Sequence, residues 1–563
     1  MRGFLVFLVF LLLLATGVCM WLLWPAFSSE YVIVSTPLGK IKGSISKSPN
    51  NHAVHIFQGI PYAVPPLGKL RFQETQPKGK WNGILDATKE GKSCVGAMYL
   101  DEPAEESEDC LQLNVYTPSL KMSERVPVMA YIHGGRYAYG SGRMSALNPL
   151  FIVEEDVVVV TFNYRLGPFG YLSTEDTVVP GNAGMKDQLI ALQWIKKNIR
   201  AFGGDTSKIT LFGQSAGGSA CGLHLVSRKS AGLFRAAICQ SGSALTPFSI
   251  YRSPRKYAYL LANLIDQKVS EESHNSSQLL EFLNAQSLEA ITTAGNILSI
   301  SLEKEDGLPA PSIEVEHENA FLWESPYTLL ESGDFNRVPL ITGIVSEEAL
   351  TQLPSWDELN IEAKKLDTEE EYIFPYGFVP ANASDDPEIE KFIKDMYIQD
   401  DSSFSENLFE AVQLKSDNLF NRGVIKHAEL QSVYTDVFLY QFAYSGELNT
   451  PHLDVLGAEG KCEHGDDIRY LFVRKDISLI NAGDKLTIER MVKLWTNFAK
   501  YLNPTPNSED LLGNVMWPKL QPQNLVYLNI SDTIDLGINL KEETYFKWNY
   551  TFFKWGARPF VTF

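Results

Sequence analysis

Residues 208–223 read KITLFGQSAGGSACGL. Ile209, Thr210, Leu211 and Phe212 make a short β-branched and apolar run, Gly213-Gln214-Ser215-Ala216-Gly217 follows, and small residues at helical spacing come next. This pattern predicts a strand, a sharp turn and a helix, with Ser215 at the turn. A serine hydroxyl is a weak nucleophile unless it is held exposed beside a base, and flanking glycines let the backbones close in around it. Because Gly-x-Ser-x-Gly also recurs by chance, its chemistry depends on partners supplied elsewhere in the chain.

The neighbouring segments fit a parallel sheet. Residues 126–132 (VPVMAYI) and 157–164 (VVVVTFNY) are continuous apolar runs, as expected of strands buried on both faces. A helix is predicted over 184–200, with Met185, Leu189, Leu192 and Ile199 on one face, just before the strand that leads into Ser215. Alternation of strand, helix and strand implies an α/β fold with helices on both faces of the sheet. Further strands are expected at 235–240, 338–343 and 436–444, and residues 31–41 alternate like one edge strand. An amphipathic helix carrying Ile488, Met491, Val492, Trp495, Phe498 and Leu502, ended by Asn503-Pro504, reads as the last element. Segments 243–336 and 353–407 read as helical insertions over the carboxyl edge of the sheet, where open α/β folds bind ligands.

Across 563 residues no linker, repeat or low-complexity tract divides the chain, so residues 29–563 are expected to form one large domain. Acidic residues (68) exceed basic ones (49), the net charge is −19 and no basic stripe interrupts the excess, which argues against nucleic acid or an anionic membrane surface as partner. Residues 4–27 form an apolar run behind Met1-Arg2-Gly3. As a helix it would span about 36 Å, so residues 1–28 read either as a cleaved signal peptide or as a signal anchor. Both readings direct the rest of the chain into the secretory pathway, secreted or membrane-anchored. Four Asn-x-Ser/Thr sequons, at Asn275, Asn382, Asn529 and Asn549, suit that route, whereas Asn503 is excluded by Pro504. Cys94 and Cys110 bracket a short polar loop whose closure would contribute about 3 kcal/mol if bridged. Cys221, Cys239 and Cys462 read as buried free thiols. No spacing suggests a metal site, and no cofactor is called for.

A serine nucleophile in such a fold needs a histidine base, an acid to hold the imidazole, and amides aimed at the developing oxyanion, in the chain order serine, acid, histidine. Of nine histidines, His427, His452 and His464 lie beyond the strand at 338–343, whose following loop should carry the acid. His427 falls in a helical pattern ahead of the next strand, on the wrong side of the sheet. His464, in the polar turn Glu463-His464-Gly465-Asp466-Asp467, is preferred to His452. The acid is expected within Ser346-Glu347-Glu348, and periodicity does not separate the two glutamates.

Beyond the turn, the runs FQGIPYAVPPLGKLRF, SEDCLQLNVYTP, YIHGG, NYRLGPFGYL, GNAGMKDQLIALQWIKKNIRAFGGD, ITLFGQSAGG, CQSGSAL and LWTNFAKYLNPTP occur in this order. From about residue 31 to about 550 the chain resembles the type-B carboxylesterases, the α/β-hydrolases that include cholinesterases and insect juvenile hormone esterases. The resemblance implies an α/β-hydrolase fold and a small-molecule ester substrate cleaved through an acyl-enzyme on Ser215. It places the acid on Glu348, since GIVSEEA aligns with the family's Gly-x-x-x-Asp-Glu-Gly, although Ala349 replaces the last glycine. His464 matches the family's His-Gly-x-Glu/Asp. Oxyanion amides would come from Gly135, Arg136 and Ala216, bracing ion pairs from Arg71 with Glu108 and Arg165 with Asp187, and a disulfide from Cys94 and Cys110. Arg136 departs from the glycine common in the family; its side chain is expected either to line the pocket, narrowing it or attracting an anionic acyl group, or to turn away toward a carboxylate. The absence of Trp between Val95 and Asp109 argues against choline esters. Gly-Gln-Ser-Ala-Gly with Arg71-Phe72 and Asp187-Gln188 is similar to juvenile hormone esterases, but Gly460 stands one residue out of place before His464, so apolar esters in general come first. The alternative is a catalytically weak or inactive, cholinesterase-like adhesion protein tethered by its N-terminal segment, which retention of the serine, acid and base disfavours.

Overall fold

The computed structural model describes residues 31–96, 105–121, 123–302, 308–352, 355–369, 372–375, 377–399, 402–450, 461–473 and 477–563. The apolar run at 4–27 and His452 lie outside these residues. Among the described residues no helix is long and apolar enough to cross a membrane.

In chain order the strands are β1 (Tyr31–Ser35), β2 (Lys40–Lys47), β3 (Ala53–Pro61), β4 (Ile84–Asp86), β5 (Ser93–Cys94), β6 (Glu106–Ser107), β7 (Gln112–Thr117), β8 (Val126–Ile132), β9 (Val158–Phe162), β10 (Gly204–Gln214), β11 (Ala236–Gln240), β12 (Leu340–Val345), β13 (Val437–Phe442), β14 (Tyr527–Ile530) and β15 (Ile534–Gly537). One sheet runs β1-β2-β3-β7-β9-β8-β10-β11-β12-β13-β14-β15, with β4 beside β2, while β5 and β6 pair separately. From β9 to β14 every neighbouring pair is parallel; the other pairs of this sheet are antiparallel, apart from β4 on β2. Apolar runs in the parallel block serve two cores at once. Val128, Ala130 and Ile132 of β8 face one, and Met129 and Tyr131 the other. The helix Ala183–Asn198 covers the first core with Met185, Leu192 and Ile195. On the opposite face the helix Ala482–Tyr501 contributes Ile488, Met491, Trp495 and Phe498. The α/β architecture with both faces covered is therefore as expected.

Two details differ from the sequence reading. Residues 31–41 are not one strand: Thr36 and Gly39 exchange backbone hydrogen bonds of 3.0 and 3.3 Å across a Pro-containing turn, so β1 and β2 form a hairpin. Nor is the helix Ala482–Tyr501 the last element, since β14, β15 and the helix Glu542–Trp555 follow. Each of those strands has four residues, too few for a period of two to stand out. The last helix did carry a signal, because Tyr545, Trp548, Phe552 and Trp555 recur at helical spacing and all are buried.

Both stretches read as insertions are rich in helix. Helices Pro254–Ile265, Ser276–Asn284, Leu288–Ser301 and Pro326–Ser332 separate β11 from β12, and Trp356–Thr368 and Asp386–Tyr397 lie between β12 and β13.

Candidate active site

β10 enters the site between β8 and β11, at the centre of the parallel block. Its last residue is Gln214, and Ser215 then turns the chain at φ 59° and ψ −128° into the helix Ala216–Val226. Such a backbone is costly for a residue with a Cβ, and the surroundings hold it there. Ser215 N donates to Gln240 O at 2.8 Å, and Ser219 N donates to Ser215 O at 2.9 Å. A Cβ on Gly213 would stand 2.5 Å from the Gly217 backbone and 2.7 Å from Ile132 O, and one on Gly217 would overlap that same carbonyl oxygen. Glycine at both positions is therefore a packing requirement of the turn. Ser215 is 8% exposed and stands at the positive end of the helix that follows it.

Two loops bring an acid and an imidazole to the same edge. Glu348 opens the short helix Glu348–Gln352 just beyond β12 and is fully buried. Its Oε1 accepts from Val345 N at 2.9 Å and its Oε2 lies 2.6 Å from His464 Nδ1. Glu347 points elsewhere, with its carboxylate against Lys461 Nζ at 3.4 Å and the Gln413 amide. Of the two glutamates the sequence left open, Glu348 is the one that meets the imidazole, in agreement with the family resemblance.

The loop carrying His464 is braced from below. Asp466 accepts from Glu463 N at 2.9 Å, Asn449 Nδ2 at 3.0 Å and Thr450 N at 3.1 Å. Asp467 accepts from Gln240 Nε2 at 2.8 Å and Tyr440 OH at 2.9 Å, while Gln240 Oε1 takes the Trp495 indole N–H at 3.0 Å. Gln240 thus ties the serine turn to the histidine loop. Burial raises both carboxyls above the usual range, Asp466 to about 6.

The imidazole of His464 packs against Phe420, ring centroids 4.4 Å apart, and Phe420 meets Phe248 at 5.4 Å. Phe420 lies in a π-helical turn, Asp417–Asn421. No hydrogen bond joins Ser215 to His464 in this structure. His464 Nε2 instead lies 3.1 Å from Nε2 of Gln214, the residue before the serine. Neither Gln214 nor the two phenylalanines was singled out by the sequence. Gln214 stood inside the quoted turn, whereas nothing local in the chain ties Phe248 or Phe420 to the site.

After β8 the chain turns through Gly135, Arg136 and Tyr137 at φ 106°, 53° and 58°, and the amides of Ala138 and Tyr139 both donate to Gly135 O at 2.9 and 3.0 Å. Among the described residues the amides of Gly135, Arg136 and Ala216 find no acceptor. A Cβ on Gly134 would stand 3.1 Å from Ser215 Cβ, so this loop abuts the serine. The Arg136 side chain is exposed and pairs with no carboxylate among the described residues, contrary to the second of the two expectations for it. His133, behind the loop, stacks on Tyr164 at 4.3 Å, and burial depresses its pKa to about 4.

The remaining sequence candidates fall into place around this edge. His427 is buried in the helix Arg422–Ser432, where its ring nitrogens are taken up by Ala244 N and the Gln431 side chain. Arg71 and Glu108 form a two-point pair with both contacts at 2.6 Å, and Arg165 holds Asp187 at 2.8 and 2.9 Å. Cys94 and Cys110 are bonded to each other, and Cys221, Cys239 and Cys462 are free and buried. Asn275 and Asn382 are exposed, Asn529 lies within β14, and Asn549 sits in the last helix with its side-chain oxygen on Lys426 Nζ at 2.9 Å.

A carboxylesterase family model matches residues 30–548. The juvenile hormone esterase of Tribolium castaneum is 33% identical over 549 residues, covering 92% of this chain and 91% of that protein. Pyrethroid hydrolase Ces2a of Mus musculus is 32% identical over 535 residues, with 92% and 91% covered. Among solved structures, the juvenile hormone esterase from Manduca sexta with OTFP covalently attached aligns at a TM-score of 0.81 and 28% identity, over 93% of this chain and all of that one. A PNB esterase aligns at 0.71, also at 28% identity, over 92% of this chain and all of that one.

Proposed function

The chain belongs to the carboxylesterase family and is a carboxylic ester hydrolase, and from that premise we propose that it cleaves small to medium apolar esters through an acyl-enzyme on Ser215. The observation that carries this reading is the 2.6 Å contact of buried Glu348 with His464, on the sheet edge where Ser215 stands at the sharp turn between strand and helix. Ser215 Oγ attacks the ester carbonyl while His464 Nε2 takes its proton. Glu348 holds the ring through Nδ1–H and stabilises the imidazolium that forms. The carbonyl oxygen, now negative, takes the amide protons of Gly135, Arg136 and Ala216, which have no competing acceptor. His464 returns the proton to the leaving alkoxide; water then repeats the sequence on the acyl-enzyme and releases the acid.

Phe248 and Phe420 supply an apolar wall beside His464 and suit an apolar ester. Relatives named for juvenile hormone and for pyrethroids favour a substrate of that character, so a xenobiotic, pheromone or juvenile hormone-like ester is the substrate class assigned. Arg136 lends the mouth one positive charge. The apolar run at 4–27 and the four sequons support a secretory route, on which exposed Asn275 and Asn382 would be the glycan acceptors. Replacing Ser215→Ala tests the reading. Hydrolysis of p-nitrophenyl butyrate should fall by about three orders of magnitude or more, and labelling by a fluorophosphonate should vanish. A folded Ser215→Ala protein that still turns over the ester overturns it.

A further inference from the structure

Gln214 touches three parts of the site at once. Its Nε2 is 3.1 Å from His464 Nε2. Its side-chain oxygen lies 3.2 Å from where a Cβ on Gly134 would stand, and its Nε2 lies 3.5 Å from the corresponding point on Gly465, the residue after the histidine. The amide is thus wedged between the loop that abuts the serine and the loop that carries the base.

Its orientation follows from Glu348. With that carboxylate on Nδ1 at 2.6 Å, Nδ1 of the neutral imidazole bears the proton and Nε2 offers a lone pair. The amide can satisfy a lone pair only with its N–H; turned the other way, its oxygen would face it. Gln214 therefore donates to the nitrogen that Ser215 must use, and Ser215 makes no hydrogen bond to His464 here. Meanwhile the ring is held independently by Glu348 and by Phe420, so its orientation does not depend on Gln214.

From this geometry we infer that Gln214 is a positioning residue that occupies His464 Nε2 in the free enzyme and yields it to Ser215 when an ester binds. The inference rests on the assignment of Ser215 and His464 above. In the free enzyme the serine hydroxyl lacks its base, which slows attack on any reagent that arrives without displacing the amide. Once the amide withdraws, Ser215 O–H replaces it as donor to Nε2 and the first step proceeds. No bond is made or broken in the exchange beyond one hydrogen bond for another.

The test compares wild type with Gln214→Met, which keeps the volume and removes the donor, and with Gln214→Ala should the methionine variant fail to fold. The first readout is the second-order rate constant for phosphorylation of the free enzyme by diethyl p-nitrophenyl phosphate. It should rise about three- to tenfold, the factor one net hydrogen bond is worth. The second is the acid limb of the kcat/KM profile for p-nitrophenyl butyrate, which should move to higher pH because the neutral imidazole loses a donor. The ionisable groups facing that ring are Glu348 and, beneath the loop, Asp467; both are unchanged in the variants. A variant with wild-type thermal stability whose phosphorylation rate is unchanged or lower, or whose acid limb does not move, overturns the inference. Ser215→Ala run alongside separates the two failures: if it keeps its activity, the catalytic assignment itself is wrong, whereas loss of activity there with no gain in the Gln214 variants sinks only the role of Gln214.

Discussion

Arg136 stands at φ 53°, where a Cβ costs about 1 to 2 kcal/mol relative to glycine, yet its guanidinium is exposed and pairs with no carboxylate among the described residues. It lies two positions beyond Gly134, which abuts Ser215, so its Cα is within about 8 Å of that contact and its side chain can reach the ester. In a chain of net charge −19 this is a local attraction for anions where the wider surface repels them. Arg136→Gly should therefore act on two measurements. The thermal midpoint should rise, by relief of about 1 kcal/mol of backbone strain. The ratio of kcat/KM for an aryl hemisuccinate to that for the neutral aryl butyrate should fall at low ionic strength, where screening is weak. An unchanged ratio would show that the charge plays no part in selecting the substrate. The same scale shows what reading residues alone leaves open. Glu347 and Glu348 are adjacent acids in an acidic turn, indistinguishable by pattern, and it is the return of the chain more than a hundred residues later that puts His464 against one of them and Lys461 against the other.

Among the elements, the strand-turn-helix unit from β10 to Val226 was the most legible, because its constraint is local. Gly213 and Gly217 face each other across the turn and both face Ile132 of β8, so the glycines are required by contact as well as by conformation. Gly217→Ala should lower stability by about 2 to 3 kcal/mol, the usual cost of forcing a methyl group into a packed backbone contact. Gly79→Ala is the control, since nothing lies within 4 Å of its Cβ position. Equal thermal midpoints for the two variants would refute the packing argument. The β1 and β2 hairpin and the short strands β14 and β15 were less legible. A strand of four or five residues is chosen by the neighbour it pairs with, and its own sequence carries too few alternations to announce it.

At the scale of the whole molecule, three histidines outside the proposed catalytic pair are buried in the neutral form. Burial pushes His133 and His427 down to about 4 and His224 to about 3. An unfolded histidine titrates near 6.5, so between that pH and about 4 the unfolded chain binds the extra protons. Their contribution to stability is complete above about pH 6.5 and is lost as pH falls through about 4. Asp466 works in the opposite sense, because its carboxyl is raised to about 6 and its contribution is lost as pH rises through that value. His427→Gln isolates one of these contributions. Its thermal midpoint should fall less steeply between pH 6.5 and 4.5 than that of wild type, and parallel curves would contradict the assignment of His427 as a buried neutral group. By itself the sequence determined the α/β class, the serine turn, the histidine loop and the cysteine pair, since each rests on local periodicity, on glycine punctuation or on an ordered run of motifs. Its run of motifs also pointed to Glu348 over Glu347, and the fold brings that carboxylate to His464. Only the tertiary structure decided that Phe248 and Phe420 stand beside His464 and that Gln214 meets its Nε2, since each is a contact between segments far apart in the chain or a choice of side-chain direction, and the sequence pattern records neither.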